Sequence, residues 1–234
     1  MLRTPVKMVA AALAAGAVLT ACGGGGQVKI GAATLMTSGR ITESTLSAEV
    51  ANLNANYQKN KGQIQLQYEV SQMPQQVLSW LIRFRVGDEM AARNGITVTP
   101  GQQQAEQQKL EQQASQSTTT GAPVTLTTLA VENGLPPDMI PDLARYQVIQ
   151  NTIINRLDGG TVPTTPSGQQ AIGKQLSGYQ CRAAKSLDIR VSPQWGQLDY
   201  AQISVIALPS TVAADPGPSP SPSPTSSVQL TPHC

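Results

Sequence analysis

The sequence predicts a mainly α-helical domain over residues 28–208, with a few short strands at its two ends. Three observations predict it. Apolar residues recur at helical spacing in four long segments, start and stop residues bracket each segment, and two-residue alternation is confined to short runs near residues 28–35 and beyond residue 187.

Gln27 to Leu35 reads as a strand, Val28 and Ile30 alternating with Gln27 and Lys29, and Ser38-Gly39-Arg40 turns the chain. Thr42 is a good N-cap, and Ile41 stands at the staple position for Leu46. Leu46, Val50, Leu53 and Tyr57 then repeat down one face until Lys61-Gly62. The second helix opens at Pro74, a favoured first-turn residue. Its Val77, Leu78, Trp80, Leu81, Ile82, Phe84, Val86 and Met90 are apolar on more than one face, which marks a helix central to its domain. Asn94-Gly95 is a left-handed stop, with Ile96 placed to fold back on Met90 and Ala91. Thr99-Pro100 with Gln102 forms a capping box. The helix behind it, to about Gln116, is nearly all Gln, Glu and Lys, and is expected to lie exposed and partly frayed.

Ser117 to Pro123 reads as a loop, and Thr127 to Asn133 as a short helix closed by Gly134. Pro136-Pro137 precede a longer helix to Leu157 whose stripe is Leu143, Tyr146, Ile149, Ile153 and Leu157. Asp158 to Pro166 is a loop. Ser167 with Gln170 is expected to cap the last helix, with the stripe Ile172, Leu176, Tyr179, Ala183 and Leu187. Two β-like runs, Asp188 to Val191 and Tyr200 to Leu208, flank a turn at Ser192 to Gly196 that carries Trp195. Within the second helix, Arg85 and Glu89 are spaced for an ion pair.

Both ends of the chain read differently. Residues 1–21 combine a short basic start (Arg3, Lys7) with an apolar run from Met8 to Leu19, too short to span a bilayer and shaped like a secretory signal. Leu19-Thr20-Ala21-Cys22 resembles a bacterial lipobox. The resemblance implies that Cys22 becomes the mature N-terminus and carries acyl chains, each buried methylene contributing about 0.8 kcal/mol to anchorage. Residues 22–27 form a Gly-rich tether. Residues 209–234 are a Pro/Ser tail whose composition favours extended disorder, with Asp215 its only acid.

Composition narrows the function classes. The signal holds two of the 16 basic residues and none of the 14 acidic ones, so the rest of the chain is balanced. That argues against nucleic acid, whose binding needs a concentrated positive field. With a single histidine, His233, in the tail and no CxxC, the sequence signals no metal, cofactor, small-molecule substrate or catalytic pair, and no enzyme is expected. Beyond Cys22 the cysteines are Cys181 and Cys234. An exported location permits a disulfide between them, while free thiols or intermolecular pairing are the alternatives.

Three segments in order carry a resemblance. They are Gly39-Arg40-Ile41-Thr42-Glu43-Ser44-Thr45-Leu46; Val77-Leu78-Ser79-Trp80-Leu81-Ile82 through Glu89-Met90-Ala91 to Asn94-Gly95-Ile96-Thr97-Val98-Thr99; and Glu132-Asn133-Gly134-Leu135-Pro136-Pro137 with the helix containing Arg145. Residues 28–208 resemble the N-terminal chaperone domain of SurA-like foldases, more closely the single-domain actinobacterial lipoproteins of that type. The resemblance implies a helical cradle that holds unfolded exported polypeptides at the outer face of the membrane. A parvulin domain, which needs on the order of a hundred residues, would sit where this chain has only Asp158 to Pro166. Holding clients requires an open apolar surface. Trp80 and Phe84 are the candidate client-binding residues, although packing within the domain is the competing use for them. A scaffold lipoprotein that binds one dedicated envelope partner is the alternative function.

Overall fold

The computed structural model describes residues 31–116, 118–119, 122–160 and 165–208. The protein is mainly helical, as the periodicity predicts, with six α-helices and short strands among the described residues. The signal, the tether and the tail lie outside them.

The described residues begin with an antiparallel pair, β1 (Ala32–Met36) and β2 (Gly39–Thr42), which runs straight into α1 (Glu43–Lys59). Thr42 is the cap: its Oγ1 accepts from the Thr45 amide at 3.0 Å. Ile41 and Leu46 are both buried in the main core, so the staple forms. After a 3-10 turn at Val70–Gln72 comes α2 (Met73–Arg93), the middle of the molecule. Its Val77, Leu78, Ile82, Val86 and Met90 are buried, and α1, α5 and α6 all pack on it. Burying each such side chain contributes roughly 1.5–3 kcal/mol. At Gly87 the ring of Tyr146 on α5 (Ile140–Leu157) lies against the backbone of α2: a Cβ there would stand 2.5 Å from Tyr146 Cδ2.

The stop of α2 is the expected one. Gly95 has φ +59°, its amide bonds to Ala92 O at 3.3 Å, and the Ile96 amide bonds to Ala91 O at 2.9 Å. Thr99 and Gln102 then cap α3 (Pro100–Gln116) reciprocally, the Thr99 amide donating to Gln102 Oε1 at 2.9 Å and the Gln102 amide to Thr99 Oγ1 at 3.3 Å. Although it lacks an apolar stripe, α3 is helical to its end and lies along α5. Amides dock it: Gln103 Nε2 donates to Pro141 O at 2.9 Å and Asn151 Nδ2 to Glu106 Oε1 at 3.4 Å.

Where a loop was expected at 117–123, β3 (Thr118–Thr119) pairs with β4 (Ala122–Pro123). The short α4 (Leu126–Glu132) and a 3-10 turn at Pro137–Met139 lead into α5. The last helix, α6 (Pro166–Ser186), is capped by Thr165, whose hydroxyl accepts from the Gly168 amide at 3.2 Å, and not by Ser167. Both residues have capping chemistry, but Pro166 fits the first helical position and fixes the cap two residues earlier than expected. Glu89 likewise meets Arg93 at 3.8 Å instead of Arg85, and accepts from Ser186 Oγ at 2.9 Å.

The last described strands lie close to the first. β5 (Arg190–Val191) joins β1 on the side away from β2, with Thr34 opposite Val191. Trp195 follows in a turn, and β6 (Gln197–Asp199) with β7 (Ser204–Ile206) forms a hairpin on α2. The predicted strand from Tyr200 is shorter than expected, because residues 200–203 form its turn. Buried Ser79 fixes this hairpin: its Oγ accepts from the Val205 amide at 2.8 Å and donates to Gln75 O at 2.6 Å. Arg83 adds a bond from Nε to Ile203 O at 3.1 Å.

Candidate functional site

The two residues that the sequence singles out for client binding are engaged inside the domain. Trp80 and Phe84, one helical turn apart on α2, are half-buried with ring centroids 5.8 Å apart, and Phe84 meets Tyr146 edge-on at 6.0 Å. The Trp80 indole donates to Asn133 O at 3.0 Å, and the Arg83 guanidinium covers its ring at 4.9 Å. Both rings pack on a second, smaller core of Ala130, Leu135, Met139 and Ile140. The helix that looks over-supplied with apolar residues thus supplies two cores, one on each side.

An open apolar groove lies elsewhere. It runs along α1 past Leu46 and Val50, is bounded by Val70 and by Met73 and Pro74 at the start of α2, and ends against Trp195. Its volume is about 470 Å³, and no charged residue lines it. Local sequence explains each wall. Leu46 and Val50, four residues apart, share one face of α1. Glu69 and Gln72 cap the 3-10 turn reciprocally, which leaves Val70 half-exposed at 50%. The Trp195 turn is held at both ends: the Ser192 amide donates to Ala33 O at 2.9 Å, and Gln194 Nε2 donates to Glu43 Oε1 at the first turn of α1. Gly196, at φ +121°, lets the chain fold back against β7. The indole nitrogen of Trp195 is enclosed without an acceptor, which costs about 1–3 kcal/mol.

A second feature lies between α1 and α5. The carboxyl of Glu49 is pushed up from its ordinary range, first by burial, then by the charge of Asp138, a hydrogen bond with that carboxyl, and Asp142. Asp142 is raised as well, by burial and then by Asp88, with Arg145 opposing. Glu49 Oε2 has no donor. Two carboxyls bond to each other only when one holds a proton, so the Glu49–Asp138 contact belongs to the protonated form. With the folded-state affinity for protons above that of the unfolded chain, this contact favours the fold below the ordinary carboxylate range, near pH 4, and its contribution is lost as pH rises. Glu49→Gln should therefore raise the urea midpoint at about pH 7 and lessen its fall as the pH rises above the ordinary carboxylate range. Identical midpoints for variant and parent throughout that rise would remove this reading.

Cys181 is buried on α6 and is disulfide-bonded; its partner lies outside the described residues, as do Cys22, Cys234 and His233. Among the described residues no group of His, Cys, Asp and Glu is placed to hold a metal ion, and no helix is long and apolar enough to cross a membrane. Trp195 is too isolated in the sequence for a role to be assigned to it. The only signal for it was an aromatic residue in a Pro/Gly turn, outside every apolar stripe. No protein-family model matches the chain, and no curated protein or solved structure matches it either.

Proposed function

We propose that the chain is a non-catalytic lipoprotein, tethered through Cys22 to the extracytoplasmic face of a bacterial membrane, which holds apolar stretches of exported polypeptides in the groove beside Trp195. The groove carries the proposal: its lining is mainly apolar, with Ser47, Asn54 and Ser71 its polar members, it is uncharged, and it includes the aromatic Trp195. Burial against such walls is non-directional, so clients of varied sequence gain from it alike. The likeness of three segments to SurA-like chaperone domains supports the same reading, and the lipobox-like Leu19-Thr20-Ala21-Cys22 supports the address.

One observation favours a second reading. About 470 Å³ accommodates a few side chains and not a collapsed chain, which suits a short apolar motif of one dedicated envelope partner. A direct assay separates the two. A chemically unfolded exported protein is diluted into buffer with and without the mature chain at equimolar amounts, and light scattering is followed. Suppressed scattering is the expected outcome for a holdase. Undiminished scattering, with one stoichiometric partner recovered from envelope extracts, would assign the groove to a scaffold.

A further inference from the structure

We propose that the groove beside Trp195 is also the docking site of the chain's own Pro/Ser segment, residues 216–224, which occupies it intramolecularly until a polypeptide displaces it. Only the displacement rests on the function proposed above; occupancy by the segment stands without it.

The place where the chain leaves the described domain carries the argument. In the β6–β7 hairpin Ile206 is opposite Gln197, two residues after Trp195. The approach is so close that a Cβ on Gly196 would stand 2.1 Å from Ile206 O. The final strand thus passes beside the backbone of the groove's aromatic wall, and Ala207 and Leu208, both exposed, hand the chain on from there. Pro216 is the eighth residue beyond Leu208. At ~3.1 Å per residue the intervening chain reaches about 25 Å, so length does not limit entry.

Chemistry matches occupant to site. Residues 216–224 alternate proline with Gly or Ser and carry no charge, and no charged side chain lines the groove. Neither side has an ion to strip of water. Such a segment favours polyproline II before it binds, so little ordering entropy opposes docking, and aromatic-lined grooves are the usual seat of that conformation. With three residues per turn, prolines two apart fall on all three edges of the helix, so several registers offer a proline to Trp195. Attachment to the same chain gives an effective concentration in the millimolar range, which favours this segment over that of a second copy.

The experiment compares two full mature chains, both with Cys22→Ser to omit the lipid. One keeps the native tail; the other carries Pro218→Gly, Pro220→Gly, Pro222→Gly and Pro224→Gly, all outside the folded domain. Indole N–H signals are recorded by NMR, with Trp195→Phe assigning the two peaks. The expected result is a Trp195 signal that differs between the chains while that of Trp80 does not. A reduced, alkylated exported protein should bind the glycine-tailed chain about five- to tenfold more tightly, the factor set by a groove four-fifths to nine-tenths occupied. Coincident Trp195 signals would overturn the proposal, and so would a difference that appears only as protein concentration rises, which would assign the groove to a neighbour's tail. A shifted indole with equal polypeptide affinity would uphold tail docking and sink the polypeptide site instead.

Discussion

Gly196→Ala is expected to detach the β6–β7 hairpin and open the Trp195 end of the groove. Two costs add at this position. A backbone at φ +121° is glycine territory, and forcing a side chain into it costs roughly 1–3 kcal/mol. The new methyl would also stand 2.1 Å from Ile206 O, a backbone atom that cannot swing away, and overpacking of this kind costs typically 1–3 kcal/mol more. Together they remove a large share of the ~5–15 kcal/mol that stabilises an ordinary domain. Gly101→Ala is the control: a Cβ there meets nothing within 4 Å, so its unfolding midpoint should stay level or rise. Parental midpoints for Gly196→Ala would show that the Trp195 turn is not held as described.

Cys22→Ala should have an all-or-none effect on location. On the lipobox reading the variant lacks the thiol that takes the diacylglyceryl group, and about 0.8 kcal/mol of anchorage goes with each methylene no longer buried. Among the described residues no helix provides a transmembrane alternative. The protein should leave the membrane fraction or accumulate with its signal still attached. Unchanged fractionation together with an unchanged N-terminal mass would show that Cys22 is an ordinary cysteine.

Helix ends were the most legible feature of this sequence because their chemistry is local. Thr42, Asn94-Gly95-Ile96 and Thr99 with Gln102 satisfy backbone groups within six residues of themselves, and the structure places each as read. Thr165 displaced Ser167 only because Pro166 pre-sets the first turn. The docking of α3 was illegible for the opposite reason. Its attachment uses glutamine and asparagine amides, which leave no apolar period to detect. The groove proposed as the site was illegible too. Trp80 and Phe84 announced surplus apolar surface on α2, but α4 and the Pro137–Met139 turn cover it with a second core. The groove is assembled from α1, the 3-10 turn before α2, and a turn roughly 150 residues further along the chain, and no spacing rule spans that separation.

Val70→Asp tests the central claim most directly. Val70 is half-exposed on the rim of the groove and belongs to no core cluster, so the change should leave the thermal unfolding temperature where it was. A charge on an otherwise uncharged wall should nevertheless weaken binding of a reduced, alkylated exported protein at least tenfold, about 1.4 kcal/mol. Equal affinity of the parent and the Val70→Asp chain, both fully folded, would contradict the assignment of this groove as the polypeptide-binding site.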